Sequence, residues 1–205
     1  MVNTRSEKGE VDMPSPEKFI KSLKMFCVEE NIRKQINEGF EGIVSKTPKK
    51  RKAAYFKRAI DIMTEKVDPQ KLQEFFEWNA CCKSGARERA SKAFAKENDN
   101  KSFDEKLEKI KSIPYMGEPI RNDDGTITVY AVKWFNGDKY LCSCSNFSGL
   151  NLDYNVSKNY CFCCAGHFKY HYEIMLGVKL KTLEIISSPL DSNGEKPCVI
   201  RYKII

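Results

Sequence analysis

Through the first half of the chain apolar residues recur every three or four positions, and after Pro114 they alternate with polar ones. Those are the periods of an amphipathic helix and of a half-buried strand. Phe19, Ile20, Leu23, Phe26, Cys27 and Ile32 make the first helical stripe. Ser15-Pro16-Glu17 opens it with a capping hydroxyl, a proline in the first turn and an early acid. Cys27, inside the stripe, is expected to be a small core residue. Thr47-Pro48 starts a second helix with Phe56, Ile60 and Met63 on one face. Asp68-Pro69 starts a third, whose stripe runs from Leu72 through Phe75, Phe76, Asn79 and Cys82 towards Phe94, with Gly85 a candidate break. Ser102 and Glu105 form a capping box for a short helix ending near Ser112.

Beyond Pro114 the segment TITVYAVKWF, rich in β-branched and aromatic residues, predicts a strand, and Asn136-Gly137-Asp138 a hairpin turn into a second strand, KYLCSCS. A polar loop over 145–159 leads into a helix from about Tyr160 to Leu176, closed by Gly177. VKLKTLEII and PCVIRYKI supply two further strands around the turn DSNGEK. The expected class is α+β: a helical N-terminal half packed on a C-terminal antiparallel sheet of about four strands, ordered strand–strand–helix–strand–strand. The expected organisation is a disordered tail over 1–14, a helical region over 15–112 and an α+β region over 113–205, the last two forming one unit.

With 205 residues and 41% apolar content, the chain holds one ordinary core or two small ones. No run of about 18 apolar residues predicts a membrane span. The N-terminus lacks the apolar stretch of a secretory signal, so a cytoplasmic location is expected, where thiols stay reduced. The net charge of +7 is modest. The run Lys46–Lys52, KTPKKRK, could meet phosphates, but it has no interleaved aromatics and reads as a solvated loop and first helical turn, so nucleic acid is not an expected partner. A small-molecule ligand is the expected partner, with a homodimer also considered.

Chemistry concentrates in the cysteines. Seven of the nine fall into Cys81-Cys82, Cys142-x-Cys144 and Cys161-x-Cys163-Cys164, and the last group runs into both histidines of the chain, His167 and His171. Thiolates and imidazoles are the ligands that zinc and iron–sulfur clusters take. On a helix over 160–176, Cys163, Cys164, His167 and His171 share one face, with Lys169 and Glu173 opposite. The first turn of that helix favours anions, which eases thiolate formation at Cys161, Cys163 and Cys164. Cys142 and Cys144, two apart on a strand, are expected to face the same way. The spacings are neither C-x₂-C zinc knuckles nor the ferredoxin repeat, and a buried stripe of Cys and His is also what an ordinary core looks like.

The C-terminal stretch from about residue 124 resembles the 4-vinyl reductase domain, whose fold is related to that of the transport-particle (TRAPP) subunits and of the aminothiazoline-carboxylate hydrolases. Glu184, Gly194 and Cys198 within LEIISSPLDSNGEKPCVIRY carry the resemblance, and Ser187 stands where the family has its first cysteine. It implies an α+β domain with an internal pocket for a small molecule or acyl chain, in proteins that are ligand sensors, carriers or hydrolases.

Three functions follow. The first is a metal-binding sensor or accessory domain, with candidate ligands Cys81, Cys82, Cys142, Cys144, Cys161, Cys163, Cys164, His167 and His171. Zinc is its default ion and a [4Fe–4S] cluster the variant. The second is a hydrolase-type enzyme using a metal-bound water or a nucleophilic Cys163 paired with His167. The third is an interaction module with no site.

Overall fold

The computed structural model describes residues 15–131 and 134–205. The expected N-terminal tail, and Val132-Lys133 of the first expected strand, lie outside the described residues. Helices α1 (Pro16–Met25), α2 (Glu30–Asn37), α3 (Lys49–Lys66), α4 (Pro69–Trp78), α5 (Gly85–Glu97) and α6 (Phe103–Lys111) precede strands β1 (Glu118–Arg121) and β2 (Thr126–Tyr130). A two-residue ribbon, β3 (Trp134–Phe135) with β4 (Tyr140–Leu141), follows. A 3-10 turn over Lys158–Cys161 then leads into α7 (Phe162–Leu176), β5 (Leu180–Ser187) and β6 (Val199–Ile204). The sheet is antiparallel in the order β1-β2-β6-β5, so the protein is α+β.

Several ends form where the caps stand. The Ser15 hydroxyl accepts from the Lys18 amide at 3.3 Å and the Asp68 carboxylate from the Lys71 amide at 3.0 Å, while Ser102 and Glu105 close a capping box. Two expected helices are divided differently. The first stripe breaks between α1 and α2, and Cys27 sits in the break at φ +51°, exposed rather than in the core. The third breaks after Trp78, so Cys81 and Cys82 belong to a connection and Gly85 opens α5 instead of ending α4. Side chains provide the stop: the Asn79 amide donates to the Phe75 carbonyl at 2.9 Å, and Lys83 Nζ donates to the Trp78 carbonyl at 2.9 Å.

The expected KYLCSCS strand ends at Leu141. The chain turns at Cys144, whose carbonyl accepts from Phe147 N at 2.9 Å and Ser148 N at 2.7 Å, so Cys142 and Cys144 lie in a loop. The fourth strand of the sheet is instead β1, which the hydrophobic pattern did not mark; its exposed–buried–exposed–exposed profile leaves only Pro119 inside.

Helix α7 divides two cores. One gathers α1 to α4 around Phe19, Phe56, Phe75, Phe76 and Tyr160; the other lies between α6, α7 and the sheet around Ile127, Tyr172, Ile200 and Tyr202. Helix α7 is buried on several sides because α4, α5 and β5 all pack on it. Its closest approach is at Gly166, where an added Cβ would fall 2.5 Å from the Glu77 carbonyl oxygen and 2.7 Å from Glu77 Cα. Backbone atoms cannot step aside cheaply. Gly166→Ala is expected to destabilise the protein by roughly 1–3 kcal/mol, read as a lower denaturation midpoint at unchanged m-value.

Candidate thiol site at the seam between the cores

The cysteines meet where the two cores meet. Cys163 belongs to the helical core, with Cys81, Cys142 and Cys144 packed against it; Cys161 belongs to the sheet core, with Cys164 and Cys198 against it. Helix α7 brings the two sets together because Cys161 is its N-cap and Cys163 and Cys164 lie in its first turn. All nine cysteines are free thiols.

Contacts within the group are specific. Cys161 Sγ donates to Ser188 Oγ at 3.1 Å. Cys163 donates to the Asn79 carbonyl at 3.6 Å. Cys142 Sγ accepts the Cys144 amide at 3.4 Å. Cys144 Sγ is 3.5 Å from the Tyr160 hydroxyl, which also accepts from Asn146 Nδ2 at 3.2 Å. Tyr160 in turn packs edge-on against Phe56, Phe76 and Phe147, so the aromatic core ends directly on the sulfur cluster.

Electrostatics define one neighbourhood. A thiolate at Cys164 is opposed by burial and then by charge at Cys161, Cys144, Cys142 and Cys81, and its pKa stands well above the usual thiol range. Cys163 and Cys198 also feel Cys164, which makes it the sulfur shared by all the others. Burial pushes Cys142 well up and Cys144 to about 11. The bond to Cys163 is the main cause raising Cys81, to about 12. At Cys163 the bond from Cys81 favours the thiolate, but burial and the neighbouring thiols leave it raised. The pKa of Cys161 is lowered, chiefly by the nearby Cys198 thiol and also by the Ser188 hydroxyl, against the effect of burial. Among the described residues, no group of three or more His, Cys, Asp or Glu side chains is arranged to hold a single metal ion.

The histidines hold the Cys81-Cys82 connection against α7. His167 Nδ1 donates to the Cys81 carbonyl at 3.1 Å and His171 Nε2 to the Cys82 carbonyl at 2.9 Å. Ser91 Oγ lies 2.8 Å from His171 Nδ1, so both ring nitrogens of His171 have a polar partner. Cys82 adopts φ +59°. Among the described residues no hydrogen bond joins Cys163 to His167. The charged side of α7 is also engaged: Lys169 pairs with Glu77 at 3.0 Å and Glu173 accepts the Leu180 amide at 2.9 Å.

A cleft of about 530 Å³ opens beside the cluster, with Cys142, Tyr140, Leu141, Phe147, Leu190 and Gly194 among its walls. Its two sides are tied by the Tyr140 amide donating to the Gly194 carbonyl at 2.8 Å.

Cys198, which enters the sequence only through the C-terminal resemblance, packs on the same core as Cys161 and Cys164. The Tyr160 hydroxyl, Asn146 and Ser188 carried no sequence signal, since common polar residues gain a role only from what they face. No family profile, curated protein or solved structure matches the chain. Among the described residues no helix is long and apolar enough to cross a membrane.

Two outcomes follow for metal-free, reduced protein. Exposed Cys27 should react with an alkylating agent at least about tenfold faster than Cys142, Cys144, Cys163, Cys164 or Cys198, whose reaction should still be accelerating past pH 9 as their raised pKa values require. Mass spectrometry of time points in native buffer and in denaturant reads both. The second concerns His167, whose pKa burial, aided by nearby His171, brings from 6.5 to about 3. The unfolded chain takes up that proton below about pH 6.5 and the folded chain does not. Stability should therefore fall as pH drops from about 6.5 towards 3, by at most about 1.4 kcal/mol per unit. His167→Asn, which keeps a donor for the Cys81 carbonyl, should flatten the urea-midpoint profile over that range.

Proposed function

We propose that this chain is a metal-binding protein whose buried thiols hold a polynuclear cluster of the [4Fe–4S] type, in a sensor or accessory role, and that the cleft beside Cys142 admits a small molecule to it. The observation that carries the reading is the packing of Cys81, Cys142, Cys144 and Cys163 on one core and of Cys161, Cys164 and Cys198 on the other, with Cys161, Cys163 and Cys164 together at the start of α7. Four thiolates are the usual complement of such a cluster.

A cluster and a zinc ion differ in size. Zinc–sulfur bonds are about 2.3 Å, so the four sulfurs of a zinc site crowd within roughly 4 Å of one another around one point. Among the described residues no three or more His, Cys, Asp or Glu side chains are arranged around one such point. A centre made of several iron and sulfide ions takes its ligands from further apart, which is why we propose it over a single zinc ion. The remaining thiols, Cys81, Cys163 and Cys198, supply S–H groups beside the ligands, and hydrogen bonds to cluster sulfurs together with burial tune its potential. Nine free thiols persist in a reducing compartment, in keeping with a cytoplasmic protein.

Protein purified without a histidine tag and reconstituted anaerobically with ferrous iron and sulfide should be brown and carry about four iron and four sulfide per chain. Cys164→Ser should lower the iron content to well under half, while Cys27→Ser should leave it unchanged. Colourless protein with one zinc per chain by elemental analysis would overturn the cluster, and protein binding neither would overturn the metal centre.

A further inference from the structure

We infer that the N-terminal half of α3, with Phe40 and Tyr154 beside it, is a binding surface for single-stranded nucleic acid, distinct from the thiol seam and independent of any metal. Between Glu41 and Asp61 the chain carries seven basic residues and no acid. Five of them fall in the run Lys46–Lys52, which the fold places at the start of α3. That helix start has neither a side-chain cap nor an acid in its first turn. Cations there oppose the helix dipole, a repulsion in the free protein that a bound polyanion relieves.

The charges are positioned without being cancelled. Lys49 Nζ donates to the Ser148 carbonyl and hydroxyl, Arg51 to the Gly39 carbonyl at 3.0 Å and Lys52 to the Ser45 carbonyl at 2.9 Å. These acceptors are neutral, so each cation keeps its field. Lys46 and Lys50 are exposed, and among the described residues their ammonium groups make no ion pair or hydrogen bond. The carboxylates that reach the same stretch are spent on backbone amides: Glu17 accepts from Ser45 N at 2.7 Å and Glu41 from Gly39 N at 3.0 Å. Lys57 and Arg58, two turns further along the same face, pair with Asp61 and Glu38 at the surface, and exposed pairs of this kind are weak.

Two rings single out a nucleic acid among polyanions. No aromatic interrupts the basic run in sequence, but the fold supplies two from elsewhere: Phe40 from the connection after α2 and Tyr154 from the loop before α7. Both line a groove of about 530 Å³ along α3, with Ala54 and Ile62 also in its walls. The Arg51 guanidinium stands 5.6 Å from the centre of the Phe40 ring, and Lys57 Nζ 5.8 Å from that of Tyr154. Each ring thus has a cation beside it. A single strand uses that combination, with its phosphates on the cations and its unpaired bases on the rings. An anionic lipid surface or an acidic peptide would meet the charges and leave the rings idle.

The test is fluorescence anisotropy of the full chain with a labelled oligothymidylate of about 20 nucleotides, over a range of salt. Lys46→Gln with Lys50→Gln, at positions without contacts in the fold, should weaken binding about tenfold at about 0.1 M salt. It should also make the slope of log affinity against log salt shallower by about 1.4, from two phosphate contacts at about 0.7 each. Tyr154→Leu, which keeps an apolar side chain against the core, should weaken binding at least about fivefold and leave the slope unchanged. Lys96→Gln with Lys109→Gln, the same change of charge at exposed positions of α5 and α6, should leave both quantities unchanged. No binding of the oligonucleotide, or equal weakening by the α5–α6 variant, would overturn the surface. Undiminished binding by Tyr154→Leu, or tighter binding to phosphatidylserine vesicles than to the oligonucleotide, would overturn the assignment to nucleic acid.

Discussion

The close seating of α7 against α4 is the constraint on which the rest of the structure depends. It is possible only because residue 166 has no side chain; any Cβ there meets the backbone of Glu77 and the side chain of Ala80. With the helices this close, the chain leaving α4 has to run along α7, and the carbonyls of Cys81 and Cys82 fall opposite His167 and His171. Those two bonds satisfy backbone groups that would otherwise be buried without partners. They also carry Cys81 onto Cys163. One glycine thus fixes how the helical half delivers its sulfur to a site that belongs mainly to the other half.

Why a protein should place so many thiols at the junction of two cores follows from their physical character. A neutral thiol packs like a small apolar group and costs little to bury. A buried thiolate is costly unless a cation or a donor offsets it. The seam offers few such partners: Lys49 bears on Cys142 and Arg87 on Cys81, each as a minor influence. The cysteine group is therefore a mostly protonated extension of the core.

Much of this was legible in the sequence because it rests on local rules. Ser15, Asp68 and Ser102 announce helix starts, Gly177 a helix end, and the 3.6-residue period the stripes of α1, α3, α4 and α7. The errors came where local pattern and tertiary demand disagree. Cys27 and Cys82 fit a helical stripe by spacing, but both adopt positive φ in connections. Cys142 and Cys144 alternate like strand residues, but a turn at Cys144 overrides that pattern. Strand β1 shows almost no apolar alternation, since it is an edge of the sheet and owes its place to pairing with β2. The cysteines pack on the two cores from helix, turn and loop alike, so the expected secondary structure mattered little to where they sit.

The two histidines show how a residue's role changes once its neighbours are known. By spacing they were an i, i+4 metal pair on one helix face. In the fold each spends a ring nitrogen on a backbone carbonyl, and His171 spends both. Burial holds them below their ordinary pKa, so they act as neutral donors that position the Cys81-Cys82 connection. A histidine used this way sets where a thiol stands without touching what the thiol binds. The positions that matter for the sulfur cluster are thus of two kinds: sulfurs that meet at the seam, and polar groups such as His167, Asn79, Ser188 and Tyr160 whose bonds decide which sulfurs meet. Any chemistry at the seam is set as much by the second kind as by the first.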